Sequence, residues 1–270
     1  MEQIKLMFYS GKCVWIIGAS SGIGEALAIE LSKQNVHLII SSRNEQKLLQ
    51  IKNTCQENGS DCTIIPLDLI KPDSFIEKAA LAYAQFNHID YLIINGGISQ
   101  RSYIKETPLE IDRQIMEVNY FGNIAITKAV LPYLIKQQSG HIATVSSIVG
   151  VFGFPLRSAY SASKHALHGF YETLRMEHLK DHIKVSIIIP GRVKTNISVN
   201  AINKDGQAHK QLDKGQATAM SPQKAAKDIL KGLRKEKKEI LIGRRELIMV
   251  YLRRFSPIIF RKIANKIKQE

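Results

Sequence analysis

The chain has 270 residues, of which 44% are hydrophobic and 23% charged, and a formal net charge of +14. This composition supports a substantial core and excludes a disordered chain. No apolar run reaches the ~18 uninterrupted residues of a membrane-spanning helix, and the opening MEQIKLMFYSGK lacks the apolar stretch of a signal peptide, so neither is expected.

Short apolar runs alternate with amphipathic segments through most of the chain. The runs are CVWIIG (13–18), VHLIIS (36–41), CTIIPL (62–67), IDYLIIN (89–95), GHIATVS (140–146) and IKVSIII (183–189). Each is nearly continuous in Ile and Val, as strands buried on both faces should be. Helical stretches such as Ile23 to Gln34, Glu45 to Glu57 and Asp73 to Gln85 separate them. The alternation predicts an α/β fold: a doubly wound parallel sheet with helices on both faces. A seventh run, EILIG (239–243), adds an edge strand. Residues 192–222 are polar and weakly periodic, which predicts a lid or a partly disordered loop at the ligand-binding edge. One domain is therefore expected over 1–243, followed by a distinct extension over 244–270. Cys13, Cys55 and Cys62 include no C-x-x-C pair, which fits free thiols in a reducing, cytoplasmic setting.

IIGASSGIGEAL follows the first run and opens a helix. Gly18, Gly22 and Gly24 give the spacing G-x-x-x-G-x-G, suited to a tight turn, to backbone approach of a pyrophosphate, and to close helix packing. The bland alternative is a loop that needs glycine only for positive φ. The second run ends in Ser42 and Arg43, where an acidic residue ordinarily meets an unphosphorylated ribose. A serine beside a guanidinium suits a 2′-phosphate, which predicts NADP(H) over NAD(H). Asp68 is placed to reach the adenine edge or to act as a turn residue before a helix.

Tyr160 and Lys164 share a helix face, but a chain with nine Tyr and 26 Lys offers about one such pair by chance. Their company decides. GASSGIG (18–24), NGG (95–97), Asn119 in MEVNYFG, SS (146–147), YSASK (160–164) and PGRVKT (190–195) resemble the short-chain dehydrogenase/reductase family in order and spacing. In particular, Ser147 stands 13 residues before Tyr160. Within the family, RSAYSASKHA, TNISVNAINKDG and VYLRRFSPIIF are similar to the membrane-associated dehydrogenase/reductase member 7B type. The FGF…AYSASK stretch is similar to 3-ketodihydrosphingosine reductases. Both comparisons concern lipid-like ketones.

The resemblance implies a Rossmann-type oxidoreductase whose catalytic set is Asn119, Ser147, Tyr160 and Lys164. Tyr160 would exchange a proton with the substrate oxygen, and the neighbouring Lys164 cation would lower its pKa. Ser147, rather than Ser146, would hydrogen-bond that oxygen, and Asn119 would hold a relay water. Cofactor contacts implied are Gly18, Ser20, Ser21, Gly22, Ile23, Gly24, Arg43, Asp68, Leu69, Asn95, Gly97, Pro190, Gly191, Val193 and Thr195, with Tyr160 and Lys164. No metal is implied, and a homodimer or homotetramer is. Ile94 stands where the family has a bracing asparagine, which predicts a small loss of stability.

From Lys224 to Glu270 the chain carries 15 Lys or Arg and five acids. Within it, GRRELIMVYLRRFSPIIFRKIANKIK mixes basic and bulky apolar residues, the composition of an interfacial helix on an anionic membrane. The same residues equally suit a cover for the pocket or a dimer partner. A non-catalytic NADP-binding scaffold using its basic tail is the rival to the enzyme. Nucleic acid is not expected, because the basic residues are interleaved with aliphatic ones.

Overall fold

The computed structural model describes residues 8–211 and 219–266. The first seven residues, on which the signal-peptide expectation rests, residues 212–218 of the expected lid and the last four of the extension lie outside the described residues.

Seven strands form one parallel sheet: β1 (Cys13–Ile17), β2 (His37–Ser41), β3 (Asp61–Ile64), β4 (Tyr91–Ile94), β5 (Gly140–Val145), β6 (Ile183–Pro190) and β7 (Glu239–Ile242). Their order is β3-β2-β1-β4-β5-β6-β7. The chain reverses direction across the sheet between β1 and β4, which opens a crevice at their carboxyl ends. The predicted seventh run is the edge strand β7, beside β6.

The alternation of side chains along each strand splits the core in two. Val14 and Ile16 of β1 face a cluster built with α1 (Gly22–Ser32), α2 (Glu45–Glu57) and α7 (Pro222–Arg234). Cys13, Trp15 and Ile17 face the other, built with α3 (Phe75–Phe86), α5 (Gly122–Gln137) and α6 (Ser158–Glu177). This two-sided burial is why the runs read as continuously apolar. The shorter α4 (Leu109–Met116) leads into α5 through a widened π-turn, Glu117–Phe121.

β3 ends at Ile64, short of the apolar run, because Pro66 has no N–H for the ladder. Residues 192–211 are irregular yet tied down: Ile202 donates its N–H to Ser99 O at 2.7 Å and accepts from Arg101 N at 2.8 Å. The extension forms α8 (Ile248–Phe255) and α9 (Pro257–Ala264), with Pro257 at the break. Among the described residues no helix is long and apolar enough to cross a membrane.

Candidate active site

The site lies at the carboxyl edge of the sheet, where every motif loop emerges. After β1, Gly22 takes φ +60°, and a Cβ there would stand 2.9 Å from the Thr195 methyl. A Cβ on Gly24 would overlap the Gly18 carbonyl oxygen. Ser21 precedes α1 without capping it through its side chain, so the first-turn amides of α1 have no side-chain acceptor there. Ser20 is half-buried and Ser21 exposed at this turn, whereas the Ile23 side chain packs into the core. Asn95 Nδ2 donates to Gly18 O at 2.9 Å. Asn95 thus braces the glycine turn with its own amide, and Ile94 is a fully buried core residue.

The adenosine end is more mixed. Ser42 is buried and accepts from Asn44 N at 3.1 Å. Arg43 is exposed, with no carboxylate partner among the described residues. Asp68 accepts from Ile70 N at 3.4 Å, the turn role weighed for it. The Leu69 side chain is buried in the core and wedged against Gly96, which leaves only its backbone for a ligand.

On the opposite wall, Ser147 is half-buried, its hydroxyl accepting from Val149 N at 3.4 Å. Ser146 is committed elsewhere, donating to Lys164 O at 3.2 Å and bonded to His168 Nε2 at 2.9 Å. Lys164 is buried, with Nζ 2.8 Å from Val145 O and 5.8 Å from the centre of the Tyr160 ring. Asn119 is fully buried in the π-turn and clasps Ile98, accepting from its N at 2.8 Å and donating to its O at 2.8 Å. A second Nδ2 bond reaches Ser163 Oγ at 3.0 Å. Gly97 lies between them: a Cβ there would stand 3.0 Å from Asn119 Oδ1 and 3.4 Å from Lys164 Nζ.

The expected lowering of the Tyr160 pKa is not seen. Burial raises it, and the Arg157 guanidinium and the neighbouring Ser147 hydroxyl only partly oppose this. Burial also pushes the Lys164 amine down to about 8. Desolvation disfavours the charged form of each group, and it is the larger effect here.

Three residues escaped the sequence reading. Gln100 Oε1 accepts from Ala159 N at 2.8 Å, holding the first turn of the helix that carries Tyr160. Arg157 is buried and donates to Ser99 Oγ at 2.5 Å and to Gln100 O at 3.2 Å. Glu246 accepts from Arg192 N at 3.0 Å, beside Gly191. Gly191 itself donates to Ile242 O at 2.6 Å, just past Pro190, and Val193 is buried beside Met220. Only Glu246 carried a sequence signal, as the one acid between Glu239 and Glu270.

The short chain dehydrogenase family pattern matches residues 12–206. The chain belongs to that family. A Drosophila melanogaster dehydrogenase/reductase SDR family protein 7-like is 40% identical over 95% of this chain and 80% of its own. Mouse dehydrogenase/reductase SDR family member 7B is 36% identical over the whole of this chain and 86% of its own. A Burkholderia phymatum short-chain dehydrogenase/reductase solved with NAD superposes with a TM-score of 0.81, at 21% identity, over 93% of this chain and 95% of that one. Membership makes this short-chain dehydrogenase an oxidoreductase that works with a nicotinamide dinucleotide.

The residues present fit such a cofactor. The uncapped α1 terminus and its glycine turn offer amide donors to phosphate. Lys164 is a buried cation that donates to Val145 O and has further donors for ribose hydroxyls.

Proposed function

We propose that this short-chain dehydrogenase reduces a ketone or aldehyde with NADPH, and that its substrate is lipid-like. The observation that carries this is the buried Tyr160 at the crevice, with Lys164 Nζ 5.8 Å from its ring centre and Asn119 bonded to Ser163 behind it. When bound, the nicotinamide supplies the hydride that the carbonyl carbon accepts. Ser147 holds the carbonyl oxygen. Tyr160 Oη gives its proton to that oxygen as negative charge develops there, so the ketone leaves as an alcohol. Lys164 holds the ribose and returns a proton towards the phenol, with Asn119 fixing the loop that closes this route. In the oxidative direction the same phenol takes the alcohol proton.

Exposed Arg43 beside buried Ser42 favours a 2′-phosphate over a bare ribose. An apolar substrate is favoured by what surrounds Tyr160: Ile98, Ile111, Ile115, Val149, Phe154 and Ile202. Half-exposed Phe121, beside Ile124 and Ala125, favours a homo-oligomer through the α4–α5 face. The test is Tyr160→Phe, assayed for NADPH oxidation against short and fatty carbonyl compounds. Turnover should fall by roughly 10²- to 10⁴-fold, as for loss of a general acid, while NADPH affinity holds. Comparable turnover in the variant would overturn the assignment.

A further inference from the structure

The two sides of the C-terminal extension meet different surroundings. Inward, Val250 and Phe260 are buried beside Phe152, with the Phe152 and Phe260 rings edge to face at 5.3 Å. Outward, Ile248, Tyr251, Phe255, Ile258, Ile259 and Ile263 are 41–73% exposed. Exposed apolar residues on a soluble surface are ordinarily scattered, and a contiguous group marks a contact face. Basic residues stand beside these six: Arg261 and Lys262, with Arg253 lying over the inward Phe260 ring and Arg254 paired with Glu239 at 3.9 Å. The Arg254 guanidinium lies 5.8 Å over the Phe255 ring.

We propose that this outer face docks on an anionic phospholipid bilayer, lying in the interface without crossing it. Each of the two helices has eight residues and so spans about 12 Å, far less than the hydrocarbon core. Bulky aliphatic and aromatic residues flanked by Arg and Lys are what an interfacial helix needs: the first enter the acyl boundary, the second meet lipid phosphates. A second copy of the chain is a poor occupant. Stacking the face on itself would gather its Arg and Lys side chains in one contact where residues 247–264 offer no acid to pair them, and like charges in a contact repel. Nucleic acid would leave the aliphatic side chains without a partner.

The inner side gives docking a consequence. Phe260 packs on Phe152, in the segment that follows Ser147, with Ile148 and Val151 against the same cluster. At the other end Glu246 holds the Arg192 amide, on the wall carrying Pro190 and Gly191. The extension therefore touches both walls of the crevice, and a bilayer on its outer face lies next to the entrance. This deepens the lipid-like substrate reading and rests on it: the carbonyl compound enters from the bilayer rather than from water.

The test is flotation of the full-length protein with vesicles of phosphatidylcholine alone or mixed with phosphatidylserine. The protein should float with the mixed vesicles and stay behind with phosphatidylcholine alone. Arg261→Gln with Lys262→Gln should weaken vesicle affinity roughly 30-fold, about fivefold for each basic residue lost. Phe255→Glu with Ile259→Glu should abolish flotation yet leave reduction of a water-soluble ketone unchanged. The same variant should raise the KM for a long-chain ketone dissolved in vesicles. Wild-type protein that ignores mixed vesicles, or a Phe255→Glu/Ile259→Glu variant that floats as well as wild type, overturns the proposal. So does a lipid-free wild type with twice the mass of that variant, since a second copy would then cover the face. Flotation needs no turnover: a protein that floats but reduces no carbonyl keeps the docking surface and loses the substrate reading.

Discussion

Glu246 gives the sharpest test of how the extension bears on catalysis. Its carboxylate accepts the Arg192 amide at 3.0 Å, and a Cβ on Gly191 would collide with the same oxygen. Burial pushes this carboxyl up, but the backbone amides of Arg192, Glu246 and Arg244 outweigh it and hold the group below the usual range. Glu246→Ala removes the acceptor and frees the turn after Pro190, where the family resemblance puts the nicotinamide. A hydrogen bond to a charged acceptor is worth about 1.5–3 kcal/mol, and half-exposure of this one brings it to about 1 kcal/mol, near fivefold in affinity. NADPH binding by fluorescence should weaken by that factor. Binding of 2′,5′-ADP, which reaches only the adenosine half, should not change. Amide exchange at Arg192 should quicken in the protein alone. Glu246→Gln keeps an acceptor oxygen and should restore most of the loss. Because the folded pKa is depressed, the bond is fully present above the unfolded carboxylate pKa and is lost as pH falls through the folded value. Equal weakening of NADPH and 2′,5′-ADP, or no change in either, would refute the argument.

Arg43→Ala should weaken NADPH by roughly tenfold or more and NADH little, read from paired titrations; equal losses would remove the 2′-phosphate contact. His141 and His168 are both held neutral by burial, with pKa values pushed down to about 4. The unfolded chain takes up these protons near 6.5, so stability should fall as pH drops from 6.5 towards 4, by at most about 1.4 kcal/mol per pH unit for each histidine. Urea midpoints across that range check this, and His141→Gln should flatten the slope by about half. Arg157→Met should raise the Tyr160 pKa further and move the alkaline limb of alcohol oxidation upward, with ketone reduction near pH 7 little affected. An unmoved limb would show that Arg157 does not act on the phenol.

The parts legible in the sequence are those set by backbone geometry. Strands buried on both faces announce themselves as Ile- and Val-rich runs, and the predicted helix from Glu45 to Glu57 matches because Asn44 caps it, accepting from Lys47 N at 3.0 Å. Asn119, a residue with low helix propensity, sits where the helix widens into a π-turn. Contacts that depend on reach across the fold were not legible. Gln100 holds a helix start 59 residues away, and Glu246 holds an amide 54 residues before it. The extension shows the same limit: its amphipathic composition was readable, but which side would be covered depended on where Phe152 comes to lie.

Burial moves Tyr160 and Lys164 in opposite directions on the pH scale but towards the same charge state. The phenol is raised and the amine lowered to about 8, so both are displaced towards neutrality. Reduction needs a phenol that still holds its proton; oxidation needs a phenolate ready to take one. Around neutral pH the chain's own electrostatics favour the first. Arg157 works against this drift, and its anchorage to Ser99 and Gln100 ties it to the loop that also starts the Tyr160 helix. The strand-edge loop after β4 therefore bears on both the position of the Tyr160 phenol and part of its proton affinity. Under the proposed assignment, a site biased in this way should reduce carbonyls at neutral pH without prior titration and oxidise alcohols faster as pH rises.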